Sequence, residues 1–154
     1  MPGRSARVPS GHRLALVPKR LVGSRHAAAE CVPLSGSPPP PADGLRLPAH
    51  CLPDGVVYGV IADGRVASVA YAHRSGVLEG RVADVAVETA PDYRGRGYAK
   101  TAVSALVVHF AATGGEARYA CDPGNTASVR TAASVGFVPY GTSVVLAAEC
   151  ARAR

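Results

Sequence analysis

The chain has 154 residues, 47% of them hydrophobic but only 5% aromatic, and a formal net charge of +6. That is enough chain for one domain, with a core of Val, Ala and Leu rather than of aromatic rings. No run of about 18 apolar residues is present, so no membrane span is expected, and four scattered cysteines without a CxxC pair lack zinc-ligand spacing and read as free thiols in a reducing cytoplasm.

The basic side chains crowd towards the front. Residues 1–50 carry seven of them against two acidic ones, which is +5 of the total of +6. Ten of the 13 prolines lie in residues 1–53, among them Pro38-Pro39-Pro40-Pro41, a run that favours polyproline II and acts as a spacer. Residues 1–53 thus read as a basic, Pro-rich, flexible segment, residues 54–150 as the folded domain and residues 151–154 as a tail. Inside the segment, "HRLALV" (His12–Val17) suggests a short strand and "SRHAAAECV" (Ser24–Val32) a short helix. A basic arm can meet nucleic acid or anionic lipid. This one has no interleaved aromatics for base stacking, so no nucleic-acid partner is expected.

Beyond Pro53 the pattern becomes regular. "VVYGVIA" (Val56–Ala62) reads as a strand, Asp63-Gly64 as a two-residue hairpin turn, and "RVASVAYAH" (Arg65–His73) as the returning strand. "RVADVAVETA" (Arg81–Ala90) is a third strand, with Ala83, Val85 and Val87 on one face and Asp84 and Glu88 on the other. Next comes "YRGRGYAKTA", Tyr93 to Ala102, in which glycines and arginines precede an apolar run. Ala99, Ala102, Val103, Leu106, Val107 and Phe110 recur at helical spacing, and Gly114-Gly115 ends that helix. "ARYAC" (Ala117–Cys121) is a fourth strand, expected to lie parallel to the third because a helix connects them. "NTASVRTAASVG" (Asn125–Gly136) is a shorter helix, with Asn125 as its cap, and "FVPYG" and "TSVVLAA" are the last strands. The reading is a mixed α/β fold, a mostly antiparallel twisted sheet of order β-β-β-α-β-α-β-β.

Glycine and arginine at a helix start point to an anion. The first turn of a helix has unpaired N–H groups and a partial positive charge. Glycine admits close approach, and arginine adds charge-assisted hydrogen bonds. A dinucleotide fingerprint fails, because Lys100 stands where its third glycine belongs, and "AKT" lacks the glycine of a Walker loop.

The order of elements, "YRGRGYA", and "NTAS" followed by "SVGF" together resemble the GCN5-related N-acetyltransferases, over about residues 54–148. The resemblance implies acetyl-CoA as co-substrate, no metal, and transfer of the acetyl group to an amine of a small molecule or peptide. Arg94, Gly95, Arg96, Gly97, Tyr98, Ala99 and Lys100 would then hold the pyrophosphate. Backbone groups of Val87 and Thr89 would hold the pantetheine arm between the splayed third and fourth strands. Asn125 and Ser128 fall in the second motif, beside the pantetheine or thiol. Glu88, at the end of the third strand, is the candidate general base for the amine. The tyrosine that many relatives carry on the second helix is replaced by Ala132, and the usual first strand and helices are not recognisable in residues 1–53. A non-catalytic or truncated acyl-CoA-binding domain is therefore the alternative. The last strands offer an edge for pairing with a second copy.

Overall fold

A computed structural model of the protein describes residues 10–18, 29–34, 45, 56–74 and 82–146. Among these residues seven strands form one sheet: β1 (Ser10–Pro18), β2 (Glu30–Pro33), β3 (Val56–Ala62), β4 (Arg65–Arg74), β5 (Val82–Thr89), β6 (Glu116–Cys121) and β7 (Phe137–Leu146). Two helices, α1 (Tyr98–Ala112) and α2 (Thr126–Val135), follow β5 and β6. The spatial order is β2-β3-β4-β5-β6-β1-β7.

The central meander forms where the alternation places it. Asp63 and Gly64 both take positive φ (52° and 71°), which matches the turn to the twist of β3 and β4. β5 runs antiparallel to β4 and parallel to β6, the crossover that α1 requires. The carboxamide of Asn125 accepts the Ser128 N–H at 3.1 Å, capping α2, and Gly136 ends it.

Three expectations change. The composition break near residue 53 is not where the sheet begins, since β1 and β2 both come from earlier in the chain. The helix expected over Ser24–Val32 is a strand at Glu30–Pro33, where β2 pairs with β3; residues 24–28 lie outside the described residues. The alanines end at Ala29, and Glu30–Pro33 beyond them, with β-branched Val32 and helix-breaking Pro33, takes the edge of β3. The two short final strands are one strand, β7, carried through Pro139 and Gly141 by a bulge. β7 does not return to β6. It pairs along its length with β1, which lies antiparallel to both.

One face of the sheet is covered by both helices. Leu106, Val103 and Val107 of α1, Ala132 and Val135 of α2, and Val60, Ala70, Val85 and Tyr119 of the sheet form its core. Burial wraps further round α1 than one stripe, taking in Thr101 and Ser104, because α1 touches β2 to β6 and α2 as well. The other face carries a small apolar cluster of Leu34, Val57, Val66 and Val69 over the β2–β4 half. The β5–β7 half of that face holds a groove, described next.

Candidate active site

The site begins with a divergence of strands. β5 and β6 pair from Val82–Glu116 to Val85–Tyr119 and no further. Beyond that point β6 turns its partnership to β1 (Tyr119, Ala120 and Cys121 against Leu16, Ala15 and Leu14), while β5 keeps only β4. The Ala90 N–H bonds to the Ala67 carbonyl at 3.0 Å, which fixes the even-numbered residues of β5 as those whose backbone groups face β4. Val87 and Thr89 therefore turn their backbone groups into the opening. Arg94 Nε donates to the Thr89 carbonyl at 3.2 Å, so Thr89 has its N–H to offer.

The glycine-arginine loop lies at the open end of this wedge. A 3-10 turn, Pro91–Tyr93, leads into it. Gly95 and Gly97 have φ of 74° and 83°, and a Cβ at either would meet nothing within 4 Å. Glycine is kept there by backbone conformation, and the space beside it is free for a ligand. No side chain caps α1, and its first turn has no acidic residue, so the amides of Ala99 and Lys100 keep the orphan donors of a helix start. Arg94 and Arg96 are exposed, and the Arg96 guanidinium lies 5.4 Å from the centre of the Tyr93 ring. Tyr98 is buried, and Ala99 and Lys100 are partly buried. Glycines with open space, unpaired amides and cations make a cradle that fits a pyrophosphate.

The remaining expected residues fall around this wedge. Asn125 serves α2 as its cap. Ser128 Oγ is 2.8 Å from the Tyr119 hydroxyl, whose ring is buried beside Phe137; burial holds the Tyr119 phenol above its ordinary pKa, against the Ser128 hydrogen bond. Ser68, fully buried, donates to the Glu88 carbonyl at 3.0 Å and lies 2.8 Å from Thr89 Oγ1, tying the end of β5 to β4. Glu88 is half-buried, and its side chain is on the face away from the helices, shared with Asp84 and Ala86.

Sequence reading missed the groove on that face. Its volume is about 600 Å³. Asp84 and Arg118 are cross-strand partners on β5 and β6, and Arg118 Nε and Nη2 donate to Asp84 Oδ1 and Oδ2 at 2.5 and 2.8 Å. Those bonds raise the Arg118 pKa further, opposed by burial and helped by the Tyr140 hydroxyl. One row beyond the pair lie Ala86 and Ala120, on the two sides of the divergence, and Ala120, Ala15 and Gly141 are direct neighbours across β6, β1 and β7. The groove thus starts at the divergence on the face opposite the helices. Only the β5–β6 register, which is non-local, could have announced it.

Among the described residues no group of three or more His, Cys, Asp or Glu could hold a metal, and no helix is long and apolar enough to cross a membrane. Among the described residues, neither Cys31 nor Cys121 is in a disulfide.

The model of the Acetyltransferase (GNAT) family matches residues 26–137, well over half of the chain. No curated protein matches. Among solved structures, a GNAT-family protein from Novosphingobium aromaticivorans superposes with a TM-score of 0.68 at 20% identity, over 95% of this chain and 68% of that one. A GCN5-related N-acetyltransferase-like protein from Streptococcus suis gives 0.64 at 15% identity, over 89% and 61%. A tandem GNAT protein from the clavulanic acid biosynthesis pathway gives 0.56 at 12% identity, over 95% and 56%. The chain spans roughly half to two thirds of such proteins, and the likeness is one of fold. With the family model covering the wedge, the loop and α2, the chain belongs to the GNAT acetyltransferase family.

Proposed function

We propose that the chain is an acetyl-CoA-dependent N-acetyltransferase that moves an acetyl group to a primary amine by direct attack on the thioester. The observation that carries this reading is the β5–β6 divergence, which joins the glycine-arginine cradle on one side to the groove on the other. The amides of residues 95–100, with Arg96 and Lys100, hold the pyrophosphate, and the backbone of Val87 and Thr89 holds the pantetheine arm as an added strand. Bound there, the coenzyme supplies an activated acyl group as a thioester.

The amine comes from the groove, over Ala86. Asp84 and Glu88 flank Ala86 on the same face, each two residues away, or about 7 Å along the strand. Glu88 takes the amine's proton as nitrogen attacks, directly or through one water; the C–S bond then breaks, and the coenzyme leaves as a thiolate that takes its proton from water. Asp84 is engaged by Arg118 and serves to hold the groove's shape. Ala132, at the helix position where many relatives carry a tyrosine, is fully buried, so α2 supplies no hydroxyl from that position.

One observation favours a second reading, an acyl-CoA-binding domain without turnover: the chain spans only part of the proteins it superposes on. Calorimetry with acetyl-CoA followed by thiol release across a panel of amines separates the two. Binding with release supports the enzyme, binding without release supports the second reading, and no binding removes both.

A further inference from the structure

The groove carries information about the acceptor, and the inference drawn from it rests on the acetyltransferase reading above. Its floor is unusually flat. Ala120, Ala15 and Gly141 stand side by side across three adjacent strands, and none reaches beyond a methyl group. With strands about 4.8 Å apart, that lane is about 10 Å long. It ends beside Ala86, where the amine must stand.

The wall is built by a bulge. Ala15 pairs with Gly141 and Leu16 with Pro139, so Tyr140 is the extra residue of β7 with no partner on β1. A bulge of this kind turns two successive side chains to the same face, and here both Tyr140 and Gly141 line the groove. Tyr140 remains 56% exposed, and its hydroxyl helps to hold the Arg118 guanidinium charged. A large ring held at a strand edge above a floor of methyl groups forms one side of a slot.

Charge narrows the choice. Among the described residues the charged groups lining the groove are Asp84 and Arg118, which pair with each other through two hydrogen bonds. The pair is neutral as a unit and its guanidinium plane is fixed. Among the described residues the lining therefore offers a polyamine or an anionic acceptor no carboxylate and no cation outside this pair.

We propose that this groove selects a primary amine joined, by an arm that crosses the β5–β6 divergence, to a flat, uncharged ring, which lies on the Ala120–Ala15–Gly141 floor against Tyr140. Ring stacking on Tyr140 and burial against the floor supply the preference.

The test is steady-state kinetics with acetyl-CoA and four probes: 2-phenylethylamine, n-hexylamine, spermidine and glucosamine. The expected result is a kcat/KM for 2-phenylethylamine at least tenfold above each of the others. Gly141→Val is the decisive variant. A Cβ at Gly141 meets nothing within 4 Å, its backbone has no positive φ, and a β-branched residue suits a strand, so the fold accepts valine while the floor gains a ridge. It is expected to raise KM for 2-phenylethylamine at least tenfold and to leave acetyl-CoA affinity by calorimetry unchanged. Tyr140→Ala should raise the same KM, with Tyr140→Phe restoring most of it. A preference for spermidine, glucosamine or hexylamine, or a Gly141→Val enzyme with unaltered KM, overturns the inference. If acetyl-CoA is bound and transferred in those cases, the acetyltransferase reading stands alone; if acetyl-CoA is not bound at all, both fall.

Discussion

Gly97 offers a test in which backbone and charge can be separated. It is the N-cap of α1 at φ 83° and ψ 2°, a left-handed conformation, with open space where a Cβ would project. An ordinary L residue there costs about 1–2 kcal/mol, whereas Asn and Asp tolerate the region better. The proper pair of variants is therefore Gly97→Asn and Gly97→Asp, nearly equal in shape and backbone cost. Both should unfold within a few degrees of the parent, since about 1 kcal/mol shifts Tm by roughly 2–4 °C in a domain of this size. They should differ in coenzyme affinity. A carboxylate about 5 Å from one phosphate charge, at an effective dielectric of about 20, is opposed by roughly 3 kcal/mol. That is about 100-fold in Kd, less at high salt. Calorimetry with CoA at low and high ionic strength reads it directly. Equal Kd values for the two variants would refute the placement of the pyrophosphate at this helix start, because nothing but charge distinguishes them.

Three further outcomes follow from other parts of the molecule. Glu88→Gln should lower kcat by at least tenfold and leave acetyl-CoA binding nearly unchanged, and equal rates for the two proteins across the pH range would remove Glu88 from the mechanism. Leu106→Ala, at a position with no exposure in the middle of α1, should cost about 2–5 kcal/mol in denaturant unfolding, the spread depending on how far the helix settles into the cavity. Burial pushes the Cys31 thiol from 9.0 up to about 11. Alkylation by iodoacetamide should therefore be slow at neutral pH. Because the folded pKa is the higher one, the contribution to stability is complete below pH 9 and is lost as pH rises towards 11, an effect that Cys31→Ala should remove from the pH profile of unfolding.

The elements easiest to read in the sequence were those whose cause is local. Asp63-Gly64 sets its own hairpin, Asn125 and Gly136 bound α2, and Gly114-Gly115 closes α1, each through backbone chemistry within a few residues. The parallel β5–β6 pair was legible because a helix between two strands leaves few alternatives. The place of β1 was not legible, since nothing in "HRLALV" names residues 120 and 141 as its neighbours. The same is true of Asp84, whose partner Arg118 is 34 positions away and becomes visible only through the strand register. Pro139-Tyr140-Gly141 misled in a different way: Pro and Gly usually break a strand, and here they flank a bulge inside one. For the candidate site, the loop and the β5 backbone were readable as chemistry in sequence, while the acceptor side required the sheet to be assembled first.

The insertion of β1 between β6 and β7 has a consequence for how the molecule is assembled in time. Ser10 lies opposite Leu146, so this ladder closes a loop of nearly the whole described chain. The meander, α1 and the β5–β6 pair join neighbours within about 35 residues and can organise as each segment leaves the ribosome, but β7 has no strand to meet until β1 has docked on β6. High sequence separation of this kind slows two-state folding far more than it weakens the product. A rearranged gene that joins residue 146 to residue 10 through a tight turn and opens the chain elsewhere would turn that ladder into a hairpin. The permuted protein should keep the same sheet and reach it sooner.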